Sequence, residues 1–177
     1  TVARRWEGEI RPHHFSGVAT VVTKLFGIVR PQVALFGQKD FQQSALVQQL
    51  VKDLNLGVEM VVCPTVRETD GLAMSSRNVY LSLEDRKRAV TLYKSLRAGA
   101  EVIRRGVTDG KAVQSAMAHV LKKEPAITID YLALCDPSTL EPLSIVTSRV
   151  VLLGAVRIGS VRLIDNLLVT LPRRSSK

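Results

Sequence analysis

A chain of 177 residues with 46% apolar side chains is long enough for one ordinary domain or two small ones with buried cores. No apolar run reaches the ~18 residues a membrane helix needs, which excludes a helical membrane protein. A net charge of +9 raises the question of a nucleic-acid partner. Residues 1–88 hold twelve Lys and Arg against nine Asp and Glu, and residues 89–177 hold thirteen against seven. Three of those thirteen are Arg173, Arg174 and Lys177, so the charge is otherwise even along the chain. No basic stripe interleaved with aromatics is present to stack bases. A solvated surface and a basic tail account for most of the charge, and an anionic small substrate could account for some of the rest. Cys63 and Cys135 lack paired spacing for zinc or redox chemistry and read as reduced thiols of a cytoplasmic protein. The opening TVARRWEGEI has no signal pattern and no initiator Met, as expected of part of a longer, non-secreted chain.

In chain order, FSGVATVVTKLFGIVR (15–30) is apolar around most of the helical circumference and stops at Pro31. Such a helix should be buried against a sheet or a partner subunit. VALF (33–36) reads as a buried parallel strand ending at Gly37. Helical spacing of Phe41, Val47, Leu50, Val51 and Leu54 follows, then a second buried strand, VEMVV (58–62), closed by Pro64. Strand, helix and strand at this length form a right-handed βαβ unit.

After Leu81 the pattern changes. Ser82 and Asp85 make a capping-box start for a helix to about Arg105, with Ala89, Tyr93, Leu96, Ala100 and Ile103 as its buried stripe. Asp109 caps another helix, striped by Val113, Met117, Val120 and Leu121. ITIDYLAL (127–134), RVVLLGAV (149–156) and SVRLIDNLLV (160–169) then read as strands of an antiparallel sheet. The expected organisation is α/β: a parallel-sheet domain over 1–82, followed by a small α+β domain over 83–177.

Two polar segments emerge at carboxyl ends of the expected parallel strands, where open α/β sheets bind ligands. In GQKD, Gly37 permits close backbone approach, Lys39 brings a positive charge and Asp40 can accept from sugar hydroxyls. The start of the next helix favours anions, and Gln43 lies one turn beyond Lys39. The ordinary alternative is a βα turn with Asp40 as N-cap. PTVRETDGLAMSSRN (64–78) brings Ser75, Ser76 and Arg77, which with Lys39 could hold a triphosphate. Its ordinary alternative is a loop shaped by an ion network of Arg67, Glu68 and Asp70. His13, His14 and His119 lack metal-ligand spacing, and no metal site is expected.

RPHHFSGVATVVTKLF, FGQKDFQQ, PTVRETDGLAMSSRNVYLS and the closing RLIDN together resemble the pantothenate synthetase (pantoate–β-alanine ligase) family, in order and over nearly the whole chain. The resemblance implies a Rossmann-like nucleotidylyltransferase domain followed by a lid domain. It also implies ATP-dependent ligation of pantoate and β-alanine through pantoyl adenylate, on the route to coenzyme A. Gly37, Gln38 and Asp40 would belong to the ATP site, with Gly37 and Asp40 at the ribose. Lys39 would meet phosphate, and the Val66 main chain would meet adenine. Met74, Ser75, Ser76 and Arg77 would form a mobile phosphate loop, and Gln43 would bind pantoate. Lys39, Ser75, Ser76 and Arg77 would be the catalytic groups. ATP would enter as a substrate with Mg2+, without organic cofactor, and the enzyme would be a cytoplasmic homodimer with neither nucleic-acid nor membrane partners. The family's HxGH histidines have no counterpart among these residues, so the chain is expected to be a C-terminal two-thirds, inactive alone. The alternatives are another adenylyl-transferring member of the superfamily and a basic nucleic-acid-binding module.

Overall fold

The computed structural model describes residues 2–172. The chain divides into two compact units, Thr1–Thr65 with Ser138–Leu140, and Val66–Pro137 with Glu141–Lys177.

The first unit contains α1 (Glu7–Ile10), α2 (His14–Val29), β1 (Val33–Gly37), a 3-10 turn (Gln38–Asp40), α3 (Phe41–Asp53) and β2 (Glu59–Cys63). β1 and β2 pair in parallel, from Val33 opposite Glu59 to Gly37 opposite Cys63. The α3 crossover makes this possible, since parallel neighbours cannot be joined by a tight turn. Val22 and Phe26 of α2, Ala34 of β1 and Val47 of α3 form the core, with Phe36 packed against it. The rings of Phe26 and Phe36 meet edge to face at 6.5 Å, a favoured aromatic geometry.

One expectation for this unit is corrected. β1 is covered on one face only: Ala34 is buried, whereas Val33 and Leu35 are 48% and 69% exposed. Successive side chains of a strand point to opposite faces, and both helices of the core pack on the Ala34 face. α2 is likewise one-sided, burying Phe15, Val22 and Phe26 while Val21, Leu25, Ile28 and Val29 stay exposed. α1 has no periodic signal of its own in the sequence. This single turn is held by Gln42, whose Oε1 accepts from the Glu7 amide and whose Nε2 donates to the Val2 and Arg5 carbonyls.

The second unit contains a 3-10 turn (Ser76–Tyr80), α4 (Leu83–Arg104), α5 (Gly110–Leu121) and strands β3 (Ile127–Cys135), β4 (Arg149–Ile158) and β5 (Val161–Thr170). The three strands form an antiparallel meander in the order β3-β4-β5. The Ser82 hydroxyl accepts from the Asp85 amide at 3.1 Å and starts α4. Asp109 caps α5 through the Lys111 amide. Leu96, Ile103, Met117, Leu134 and Leu152 are fully buried at the junction of both helices with the sheet. Each such side chain contributes about 1.5–3 kcal/mol of transfer free energy. α4 and α5 approach closely at Gly99, where an added Cβ would lie 2.7 Å from Met117 Cγ. The buried Ser95 hydroxyl donates across the same crossing to the Met117 carbonyl.

The helices, strands and sheet directions agree with the α/β and α+β reading. By compactness the chain parts between Thr65 and Val66. The physical reason is that residues 66–74 are fastened to α4 and β5 by side chains whose partners lie far along the chain.

Candidate functional site

The candidate residues fall into two sets, one on each unit. In the first, β1 ends at Gly37 and the chain tightens at once into the 3-10 turn Gln38–Asp40 before α3 begins. Ser44, one turn into α3, fixes this corner by donating to the Gly37 carbonyl at 3.1 Å and, more weakly, to the Asp40 carbonyl at 3.4 Å. Gly37 itself has ordinary extended dihedrals, so no left-handed backbone calls for glycine. Its missing Cβ would point into open space, with nothing within 4 Å. That space admits a ligand close to the main chain.

Asp40 sits at the N-cap position of α3, but its side chain makes no capping hydrogen bond. The ordinary reading of this residue as a helix cap therefore fails, and an exposed carboxylate is left at the strand end. Gln38, Lys39 and Gln43 are half-buried around the same corner. The structure thus brings Gly37, Gln38, Lys39, Asp40 and Gln43 onto one strand-to-helix turn. The neighbouring Gln42 faces the other way, buried and used in holding α1. Adjacent helical positions lie about 100° apart, which separates the two glutamines' roles. Just beyond β2, Thr65 has a buried hydroxyl without a hydrogen-bond partner among the described residues.

In the second set, residues 66–74 form a short hairpin. The Met74 amide donates to the Val66 carbonyl, the Glu68 amide to the Leu72 carbonyl, and the Gly71 amide closes the turn on Glu68. Gly71 has φ +98, and an added Cβ would lie 2.5 Å from the Tyr93 ring. Asp70 accepts two bonds from Arg86 of α4, at 2.7 and 3.2 Å, and one from the Leu72 amide. The Arg86 hydrogen bonds, then the Leu72 amide, hold the Asp70 carboxyl below its ordinary range. Arg67 forms a bidentate pair with Asp165 of β5 at 2.7 and 3.0 Å. The ion-network alternative is therefore realised at Arg67 and Asp70.

The phosphate-loop candidates begin where this network stops. Met74 is 51% and Val66 67% exposed, and Ser76 and Arg77 are exposed as well. Ser75 is half-buried, and its hydroxyl caps the next 3-10 turn by accepting from the Arg77 amide at 3.2 Å. This cap does not use up the hydroxyl, because one that accepts a bond still has a proton to donate. Asn78 braces the turn by donating to the Ala73 carbonyl, while its Oδ1 is buried without a partner among the described residues. Sequence reasoning missed Asn78, Ser44 and Gln42 as supporting residues. Asn78 had a signal in the SSRN run, whereas nothing in local pattern marks the other two.

Among the described residues, no three His, Cys, Asp or Glu side chains gather into a metal-ligand set, and no helix is long and apolar enough to cross a membrane.

Comparison with known proteins points to one family. The Pantoate-beta-alanine ligase family model matches residues 1–168. The pantothenate synthetase of Acetivibrio thermocellus is 52% identical over 162 residues, covering 92% of this chain and 58% of that protein. That of Caldicellulosiruptor bescii is 53% identical over 162 residues, covering 92% and 57%. The pantothenate synthetase structure from Thermus thermophilus superposes with a TM-score of 0.91 at 49% identity, covering 94% of this chain and 60% of that one. The Francisella tularensis pantoate-beta-alanine ligase, solved in complex with beta-gamma ATP and beta-alanine, gives 0.68 at 34% identity, covering 94% and 55%. The chain thus spans less than two thirds of the length of these relatives. With a family match over residues 1–168 and about half of its residues identical to curated members, the chain belongs to the pantoate–β-alanine ligase family.

Proposed function

We propose that the protein of which these residues form the site activates pantoate with ATP and joins it to β-alanine. The observation that carries this reading is the exposure of Ser76 and Arg77 just beyond a hairpin in which Arg67 and Asp70 are already paired. A donor and a cation held outward from a fixed root suit an anionic ligand. The solved relative with beta-gamma ATP and beta-alanine supports the identity of two of the ligands.

In the proposed reaction a pantoate carboxylate oxygen attacks the α-phosphorus of ATP, and pyrophosphate leaves. The amine of β-alanine then attacks the acyl carbon of the adenylate, its proton is lost, and AMP departs with the oxygen that joined it. Asp40 accepts from the ribose hydroxyls beside the open face of Gly37, with Gln38 next to it in the ATP site. Lys39 meets charge growing on the α-phosphate, and Gln43 orients pantoate. The Val66 carbonyl keeps one lone pair after accepting from Met74, enough for one bond from the adenine amino group, with Met74 against the base. Ser75, Ser76 and Arg77 bind the leaving pyrophosphate. Preorganised donors of this type typically contribute about 10²–10³ in rate.

The described residues offer no carboxylate or imidazole cage for Mg2+. It would arrive with the phosphates of ATP, which supply much of its oxygen shell. We further propose a cytoplasmic homodimer; the exposed apolar positions Val21, Leu25, Ile28 and Val29 of α2 are compatible with a face covered by further protein. The division of labour follows the two residue sets: nucleotide sugar and pantoate to residues 37–43, adenine and pyrophosphate to residues 66–77, and a lid role to residues 83–177.

The test is product stoichiometry in an enzyme of full family length carrying this chain. AMP should appear one for one with pantothenate and only when both acids are present. AMP release that ignores either acid, or ADP as product, would reject the proposal.

A further inference from the structure

Arg67 at the root of the hairpin and the RLIDN run on β5 remain unexplained by substrate contacts. They meet in one cluster. The Arg67 guanidinium lies 3.9 Å from the centre of the Tyr93 ring on α4. Its Nη1 donates to Asp165 Oδ2 at 2.7 Å and to the Gly71 carbonyl at 3.1 Å. Its Nη2 donates to Asp165 Oδ1 at 3.0 Å and to the Asn166 carbonyl at 3.3 Å. The Asp165 side chain is only 3% exposed, and its Oδ1 also accepts from the Asn166 amide at 2.8 Å.

One side chain therefore ties together the hairpin's own turn, β5 and α4. Such a pair is a poor stability device, because desolvating two charges offsets much of their attraction. It is a good alignment device, because a planar fork on a carboxylate and a ring face fixes distance and orientation together. Lysine could keep the charge but neither the fork nor the stacking. The hairpin it fixes carries Val66 at one end and Met74 at the other, joined by the Met74 amide. The exposed Ser76 and Arg77 follow at once, so their aim depends on where that end is held.

We infer that Arg67, locked by Asp165 and Tyr93, is a positioning residue that aims the adenine- and pyrophosphate-binding segment. This rests on the pantoate-activation reading, and Arg67 touches no substrate itself. The consequence is a selective defect: loosening Arg67 should impair handling of ATP and leave the pantoate-binding turn at 37–43 as it was.

The experiment compares Arg67→Lys and the double variant Arg67→Met/Asp165→Leu with the parent, in an enzyme of full family length carrying this chain. The double variant replaces the buried charges by apolar groups of similar size, a change that commonly preserves stability, so misfolding is separated from misalignment. Three readouts are taken: pantoate-dependent ATP–pyrophosphate exchange, KM for each substrate, and hydrogen exchange at the Glu68 and Met74 amides. Both variants should lose at least tenfold in pyrophosphate exchange, with KM for pantoate within twofold of the parent. Their Glu68 and Met74 amides should exchange at least tenfold faster while the start of α4 is unchanged. Parental pyrophosphate exchange together with parental amide protection in the double variant would overturn the inference, since a merely structural pair would behave that way. So would parental pyrophosphate exchange in Arg67→Lys. A parent with no pantoate-dependent exchange would instead reject the pantoate-activation reading, and the amide rates would still report whether Arg67 holds the hairpin.

Discussion

Replacing Gly71 by Ala tests whether the hairpin is held as tightly as its contacts indicate. Gly71 has φ +98, outside the range L residues adopt comfortably, and its Cβ would meet Tyr93 Cδ1 at 2.5 Å and Cε1 at 2.8 Å. The backbone strain costs roughly 1–3 kcal/mol. The ring cannot swing away freely, because Arg67 stacks on it; overpacking of this kind adds about 1–3 kcal/mol. A total loss of about 2–6 kcal/mol is expected, a large part of the ~5–15 kcal/mol that holds an ordinary domain together. Urea unfolding of this chain followed by circular dichroism measures it. A double-mutant cycle with Tyr93→Ala divides the two causes, since truncating the ring removes the clash and leaves the strain. The expected coupling is about 1–2 kcal/mol. A Gly71→Ala loss below about 1 kcal/mol, or no coupling to Tyr93, would show that the hairpin yields easily and is not clamped.

Lys39→Ala, in an enzyme of full family length, should slow adenylate formation by about 10²–10³ with pantoate affinity within a few-fold; rapid-quench detection of pantoyl adenylate at a near-normal rate would remove Lys39 from the chemistry. Asp130 provides a pH test. Burial raises its pKa, but hydrogen bonds from Arg162 and Arg157 outweigh that and leave it below the ordinary value. A lowered folded pKa means stability that is fully present above about pH 4 and is lost as pH falls through the folded value. Asp130→Asn should therefore flatten the acid side of the urea-stability profile, and an unchanged slope below about pH 4 would contradict the pairing. Hydrogen exchange with and without ATP, at full family length, should leave residues 66–73 protected throughout and slow exchange at 75–78 only when nucleotide is bound; equal rates at 75–78 would make that turn purely structural.

Elements with a clean period were legible in the sequence. The stripe Leu96, Ala100, Ile103 and the box Ser82–Asp85 located α4 to within a residue at each end, and three consecutive apolar runs became the β3-β4-β5 meander. The coverage of surfaces was not legible. A run such as VALF has the same composition whether one face is packed or two, and only the packing shows Val33 and Leu35 uncovered. The attachment of residues 66–74 to the second compact unit was not legible for a related reason. Arg67 and Asp165 stand 98 positions apart, and no local period records that they pair. Candidate site residues were found through motifs, whereas their supports were not. Ser44, which fixes the GQKD corner, looks like any polar residue in a helix until its bonds to Gly37 and Asp40 are seen.

Pantoate-dependent exchange of labelled pyrophosphate into ATP, without β-alanine, tests the proposed chemistry most directly. An enzyme of full family length carrying this chain should catalyse it, because forming the adenylate needs only the acid and ATP. Arg77→Ala should reduce the exchange by about tenfold or more, as expected on losing a charged pyrophosphate contact. Exchange that requires β-alanine, that proceeds without pantoate, or that is indifferent to Arg77 would contradict the adenylate route and the role given to the exposed turn at Ser75–Arg77.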